Sequence, residues 1–247
     1  MKKICFQSLF CLIIFTANSY SQPATTLHFM GGYSIALGDM KGDFGSTRAT
    51  FTENNPDTNT YYLQNGFTFG MDLKFAPYIK HKAYKIMGGI HYNSFSQGAQ
   101  YSDTSGSVVI DYAMRIFSLS IGLDYSLETK TSKINPYVNV QITTNFFSGN
   151  YDETYSNGNT TNLTLKPAVR LGVKFGGGVG IPVGRRLGVN IGVGYNMANL
   201  IGKVSAADFG TQYNLNDKEG TVNNERFDNR SINYLNISAG FTLFLGI

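Results

Sequence analysis

The sequence predicts an all-β protein, an eight-stranded, antiparallel, up-and-down transmembrane β-barrel. Three observations point there. Alternation of apolar with polar or small residues at period two recurs along the chain after residue 22, and helical periodicity is hard to find. The links between the alternating segments are long and short in turn, as in barrels with long loops at one rim and tight turns at the other. The face opposite the apolar residues is mainly Gly, Ser, Asn and Thr. A water-facing surface carries many more charges, whereas small polar residues suit the narrow lumen of about eight strands.

The chain opens on a candidate export signal. Lys2 and Lys3 precede an apolar run from Ile4 to Phe15, and small residues at Ser19 and Ser21 place cleavage after Ser21. The run is too short to span a membrane as a helix, which takes about 20 residues. A lipid-anchored reading would use Cys11, but Phe10 before it is not small. The expected division is a signal peptide over 1–21 and one barrel domain over 22–247. Both cysteines, Cys5 and Cys11, leave with the signal, so closure into a barrel has to do what disulfides do in many exported domains. Without Lys2 and Lys3, 18 basic residues face 16 acidic ones. That balance argues against a nucleic-acid partner, which needs a concentrated basic face.

The strands follow in order. The first, Thr26 to Leu37, alternates Leu27, Phe29, Gly31, Tyr33 and Ile35 with His28, Met30, Gly32 and Ser34. The second sets Phe67, Phe69, Met71, Leu73 and Phe75 against Thr68, Gly70, Asp72 and Lys74. The third sets Tyr84, Ile86, Gly88, Ile90 and Tyr92 against Lys85, Met87, Gly89, His91 and Asn93. The fourth changes phase: Ile110, Tyr112, Met114 and Ile116 share one parity, and Phe117, Leu119, Ile121, Leu123 and Tyr125 the other. Because a one-residue slip flips every side chain, the simplest expectation is a β-bulge near Ile116. The fifth carries Val138, Val140, Ile142 and Phe146, the sixth runs from Leu163 to Phe175, the seventh from Leu187 to Tyr195, and the eighth from Leu235 to Leu245. Long links are expected near 38–60, 94–107, 148–161 and 201–231, and short ones near 77–83, 126–134 and 180–186.

With odd strands rising and even strands descending, Asp72, Lys74, Lys85, Asp124 and Lys174 all fall on the lumen side near the lower end. Two acids among three bases at one level predict an internal ion-pair cluster that fills the lumen. Phe75, Tyr84, Tyr125 and Phe175 would form one aromatic girdle, and Phe67, Tyr92, Phe146 and Tyr195 the other.

The last strand carries a recognisable motif, Ser238-Ala239-Gly240-Phe241-Thr242-Leu243-Phe244-Leu245. It resembles the C-terminal signal by which the barrel assembly machinery recognises outer-membrane barrels, with Ser238, Gly240, Phe241, Leu243 and Leu245 at its key places. Many such signals end in an aromatic residue, whereas this chain continues through Gly246 to Ile247. As a whole the chain is similar to the broad family of small outer-membrane β-barrel proteins of Gram-negative bacteria, comparable to the OmpA membrane domain, OmpX and the PorT-like barrels. The resemblance implies residence in the outer membrane, contact with its lipid and lipopolysaccharide, and passage through the assembly machinery. It implies no particular activity.

Little in the chain reads as chemistry. His28, His81 and His91 are dispersed, with His28 and His91 expected at opposite ends of their strands, so neither a metal site nor a cofactor is expected. A lipid-modifying hydrolase would pair His91 with Ser94 or Ser96 and draw on Asp103 or Asp111. The run Gly176-Gly177-Gly178-Val179-Gly180 lacks the helix a phosphate-binding loop needs. Asp208, Asp217, Glu219, Glu225 and Asp228 in one loop, and Asp39, Asp43, Glu53 and Asp57 in another, could attract a divalent cation. However, Lys41, Arg48, Lys203, Lys218, Arg226 and Arg230 are interleaved, which reads as solvated loops. The leading expectation is a non-enzymatic barrel whose loops, mainly 38–60 and 201–231, bind at the cell surface or to envelope partners, with the ligand left open. The alternatives are a lipid A deacylase or acyltransferase and a small-solute channel.

Overall fold

A computed structural model describes residues 25–42, 60–77, 83–103, 106–126, 134–184, 186–206, 210–222 and 225–245. The expected signal peptide, His81 and the final Gly246-Ile247 lie outside the described residues. Eight antiparallel strands close on themselves: β1 (Thr25–Leu37), β2 (Asn65–Phe75), β3 (Tyr84–Asp103), β4 (Gly106–Ser126), β5 (Asn135–Tyr155), β7 (Ala168–Pro182), β8 (Leu187–Ile201) and β12 (Asn233–Leu245). Closure is made by β12 against β1, from Thr25↔Leu245 to Leu37↔Asn233. The lower end carries the start of β1 and the end of β12. At the upper end β6 (Thr160–Leu165) pairs with β5, and β9 (Gln212–Tyr213) runs parallel to β6. A small hairpin joins β10 (Gly220–Val222) and β11 (Glu225–Phe227).

The expected bulge near Ile116 is absent. β4 pairs in unbroken register with β3 and β5, with Ile116 opposite Asn93 and Phe147 and Phe117 opposite Tyr92 and Phe146. The strand does not slip; its two faces exchange polarity. Below this level the outward residues are Phe117, Leu119, Ile121, Leu123 and Tyr125, and the inward ones include Ser118 and Asp124. Above it Ile110, Tyr112, Met114 and Ile116 are buried inside, while Asp111 and Arg115 face outward and are exposed. β5 makes the same exchange, from Phe146 outside and Asn145 inside to Ser148 outside and Phe147 inside. A barrel crossing from lipid into water requires this inversion, since lipid takes apolar groups outside and water takes polar ones. The outward apolar stretch of β4, Phe117 to Tyr125, has the roughly nine-residue length of a membrane-crossing strand.

The same inversion explains the two missing loops. Segments 94–107 and 148–161 were expected as loops, but β3, β4 and β5 continue to Asp103, from Gly106 and to Tyr155. The expected sixth strand is divided: β6 ends at Leu165 and β7 starts at Ala168, with Lys166-Pro167 between them. Proline has no N–H for the ladder. The described register shift also lies on β7, between Leu171 and Val173. The glycine run belongs to β7 and pairs with Asn135–Asn139 of β5 and with β8, so it is barrel wall.

Outward aromatic side chains meet across strands, with Tyr84 against Tyr125 at 5.0 Å low on the wall and Phe67 against Tyr92 and Phe117 against Phe146 at 6.1 Å higher up. Among the described residues no helix is long and apolar enough to cross a membrane.

Candidate functional site: a layered lumen and its outer cap

The lumen is filled in layers. The lowest holds the predicted charges. Lys74, from β2, reaches Asp124 of β4, Nζ to Oδ2 at 2.7 Å, and lies 4.1 Å from the ring centre of Tyr137. Ser126 donates to the other Asp124 oxygen at 2.7 Å. Lys85 pairs in register with Asp124 and is buried. Asp72 sits slightly higher, its Oδ1 3.0 Å from Nε2 of His91, and Lys174 Nζ lies 3.3 Å from the same nitrogen. Nε2 therefore meets a carboxylate and an ammonium together. It donates to Asp72 when it carries a proton and accepts from Lys174 when it does not.

This cluster depends on missing side chains. A Cβ on Gly70 would stand 2.4 Å from His91 Nδ1, and one on Gly89 would stand 2.0 Å from Asp72 Oδ1. The two glycines leave the space in which the imidazole and carboxylate meet. His28 and His91 are not at opposite ends as expected: His28 is in register with Asp72, and both histidines line one cavity of about 30 Å³ with Asp72, Lys74, Tyr137 and Lys174. Because β3 continues to Asp103, His91 lies in its lower half and not near the outer rim.

The next layer is amide and hydroxyl. Ser34 donates to Asn236 at 2.8 Å, Asn236 donates to Asn93 at 3.0 Å, and Asn93 donates to the Tyr234 hydroxyl at 3.3 Å. Across the lumen Ser118 donates to Asn145 at 2.6 Å, and Asn145 donates to the Ala198 carbonyl at 2.7 Å. Above this the filling becomes apolar, with Phe95, Met114, Ile116, Phe147, Tyr234 and Ile232 buried together, joined from the loops by Met40, Leu63 and Leu215.

An outer cap forms at the top, where Asp39, Asp217 and Arg230 depart from the solvated-loop expectation while Lys218, Glu219 and Asp228 are exposed as expected; Asp43, Arg48, Glu53, Asp57 and Asp208 lie outside the described residues. Asp217 is fully buried and accepts two hydrogen bonds from Arg170, each at 2.9 Å. It also accepts from Asn199 and from the backbone N–H of Val204, both at 3.0 Å. Burial alone would raise the Asp217 pKa, but these hydrogen bonds outweigh it and hold the carboxyl below the usual range. Arg230 donates to the carbonyls of Leu215 and Asn216 and stacks on Tyr61 at 4.3 Å. Asp39 accepts the Ser231 N–H at 2.8 Å, tying the first loop to the last. No local motif marks Asp217, because its partner Arg170 is 47 residues away.

The hydrolase arrangement does not assemble. His91 points inward with Asn93 and Phe95, whereas Ser94 and Ser96 have the opposite parity on β3, and Asp111 is exposed on the outer surface. His91 is 4% exposed, out of reach of a lipid substrate. Among the described residues no group of three or more His, Cys, Asp or Glu is placed to hold a metal. Of the motif residues on β12, Phe241 faces outward and stacks on Phe29 of β1 at 5.0 Å. Gly240 faces Met30 across the closing seam, Ser238 approaches the Gly192 carbonyl at 3.5 Å, and Leu243 and Leu245 pair with Leu27 and Thr25.

No protein-family model and no curated protein matches the chain. Among solved structures, Neisserial surface protein A aligns over 90% of this chain and 97% of its own at 12% identity, with a TM-score of 0.48. The outer membrane protein OprG from Pseudomonas aeruginosa aligns over 89% and 96% at 13% identity and 0.44. The outer membrane protease OmpT from Escherichia coli aligns over 91% and 97% at 13% identity and 0.44. The barrel assignment stands on the closed strand pairing itself: the chain is an eight-stranded antiparallel β-barrel with an apolar outer belt and a filled lumen.

Proposed function

We propose that this chain is a non-conducting, non-enzymatic outer-membrane barrel that holds a stiff, folded platform above the outer leaflet for binding at the cell surface. The observation that supports it is the exchange of polarity along β3, β4 and β5. It continues the sheet past the apolar belt as a water-facing extension with its own core, instead of releasing the chain into loops. Functional contacts in barrels concentrate on such outer parts, positioned by a rigid scaffold. Lipid and lipopolysaccharide surround the belt, and the β12 motif of Ser238, Gly240, Phe241, Leu243 and Leu245 serves recognition by the assembly machinery. The layered filling speaks against a channel, since charges, amides and apolar side chains occupy the lumen in succession.

Two measurements test this reading. Purified barrel in planar bilayers is expected to give no discrete conductance steps, and cells with and without the gene are expected to show the same lipid A profile. Regular conductance steps, or a change in lipid A acylation that follows the gene, would replace the platform by a channel or an enzyme.

A further inference from the structure

The outward face of β4 carries one basic residue, Arg115, and neither β3 nor β5 adds another on that face. Arg115 is exposed and stands one outward position above Phe117, at the upper edge of the apolar belt. Ser94 of β3 and Ser148 of β5 are its register partners, so a hydroxyl-bearing residue flanks it on each side. The guanidinium donates to Asn150 Oδ1 at 3.1 Å, and Asn150 in turn donates to Asp152 at 2.7 Å. That contact orients the side chain and uses one of the five N–H donors a guanidinium carries. The facing pair Asp111 and Asp152 stands two outward rows higher, away from the belt. A planar cation at the boundary between apolar side chains and water is suited to a lipid phosphate, which it can meet with two parallel hydrogen bonds.

The wall below offers room for the rest of a lipid. One row of paired residues runs from Phe117 through Tyr92, Phe69 and Gly31 to Ala239. At its far end Gly31 and Ala239 present no large side chain, and a groove of about 640 Å³ opens there, with Phe29, Phe69, Tyr92 and Phe241 also lining it. Phe29 and Phe241, stacked at 5.0 Å, bound its lower side. The lining is overwhelmingly apolar and lies within the belt, so a flexible hydrocarbon chain fits it. Tyr92 lines the groove and pairs with Phe117, which places the groove and Arg115 on one continuous wall.

We propose that this wall binds one phosphate-bearing lipid of the outer leaflet, its phosphate on Arg115, Ser94 and Ser148 and an acyl chain in the groove at Gly31 and Ala239. The site requires the belt to face lipid, as proposed above, and selects one lipid class from those that surround it.

Native mass spectrometry of the full barrel folded in an uncharged detergent tests the site, with phosphatidic acid, diacylglycerol of the same chains and inorganic phosphate titrated separately. One saturable equivalent of phosphatidic acid is expected, with the other two at least about tenfold weaker. Arg115→Gln should weaken phosphatidic acid about tenfold or more, as loss of charge-assisted hydrogen bonds does. Ala239→Phe, which fills the groove, should weaken it several-fold, while Arg186→Gln at the lower rim leaves it unchanged. The heat-dependent shift in gel migration verifies that each variant is folded; if Ala239→Phe does not fold, Arg115→Gln decides. Equal binding of phosphatidic acid and diacylglycerol, inorganic phosphate as tight as the lipid, or binding that survives Arg115→Gln would overturn the proposal. Shielding of belt positions 117 to 125 from a water-soluble thiol reagent reports separately on the belt. A shielded belt that binds no phosphatidic acid removes this site alone, whereas a labelled belt removes both.

Discussion

Asp217 and Gly240 show how much can rest on single residues. Removing the Arg170 side chain leaves a fully buried carboxylate without its main partner, and loss of one member of such a pair costs about 3–5 kcal/mol. Arg170→Met should therefore lower the stability of the cap by that amount, read as earlier proteolysis of the 201–231 segment. The Asp217 pKa is depressed in the folded protein. Its contribution is therefore complete above the unfolded value of about 3.9 and disappears as the pH falls through the folded value. Wild type should lose more of its urea resistance between pH 7 and pH 3 than Asp217→Asn does; equal losses would remove Asp217 from the account. Gly240 has two possible reasons to be glycine, recognition during assembly and closure of the barrel. A Cβ there would stand 1.8 Å from the Phe29 carbonyl oxygen, so Gly240→Val should block closure even when the purified chain is refolded without assembly machinery. Refolding of that variant to a heat-modifiable form would leave recognition as the only reason.

The strands were legible from their alternation, and their lengths were not. In β3 the outward Ser94, Ser96, Gly98 and Gln100 look like loop composition, and only Phe95, Gln97 and Ala99 alternate with them. The apolar side chains buried in one cluster with Phe95, such as Ile116 and Phe147, lie on other strands. In β4 the exchange of faces was visible as a phase change, but a bulge and a membrane boundary leave the same trace in one sequence; unbroken pairing with β3 and β5 separates them. Adjacent residues of β5 then have different fates. Phe147 is buried in the upper core, so Phe147→Ala should cost about 3–5 kcal/mol. Phe146 faces outward, where lipid fills the space it leaves, so Phe146→Ala should cost clearly less. On β4, Ile121→Arg near the middle of the apolar belt should cost about 2–4 kcal/mol in a bilayer. Thr154→Arg on the exposed upper surface should stay within about 0.5 kcal/mol. Urea unfolding in lipid vesicles measures all four.

For the molecule as a whole, the fold class was legible in the alternation, and Asp72, Lys74, Lys85, Asp124 and Lys174 are all buried. The outer cap was not legible, because Tyr61, Arg170, Asp217 and Arg230 come together only after closure brings distant strands and loops to one mouth. The central claim is that one barrel passes from lipid into water at the level of Ile116 and Phe117. Single cysteines placed in turn at the outward positions 111, 113, 115, 117, 119, 121, 123 and 125 of β4, and exposed in intact cells to a membrane-impermeant maleimide, test it most directly. Labelling at 111, 113 and 115 that stops at 117 is the predicted result. Labelling that continues uniformly to 125 in the folded protein would mean that water, not lipid, surrounds the belt, and would contradict it.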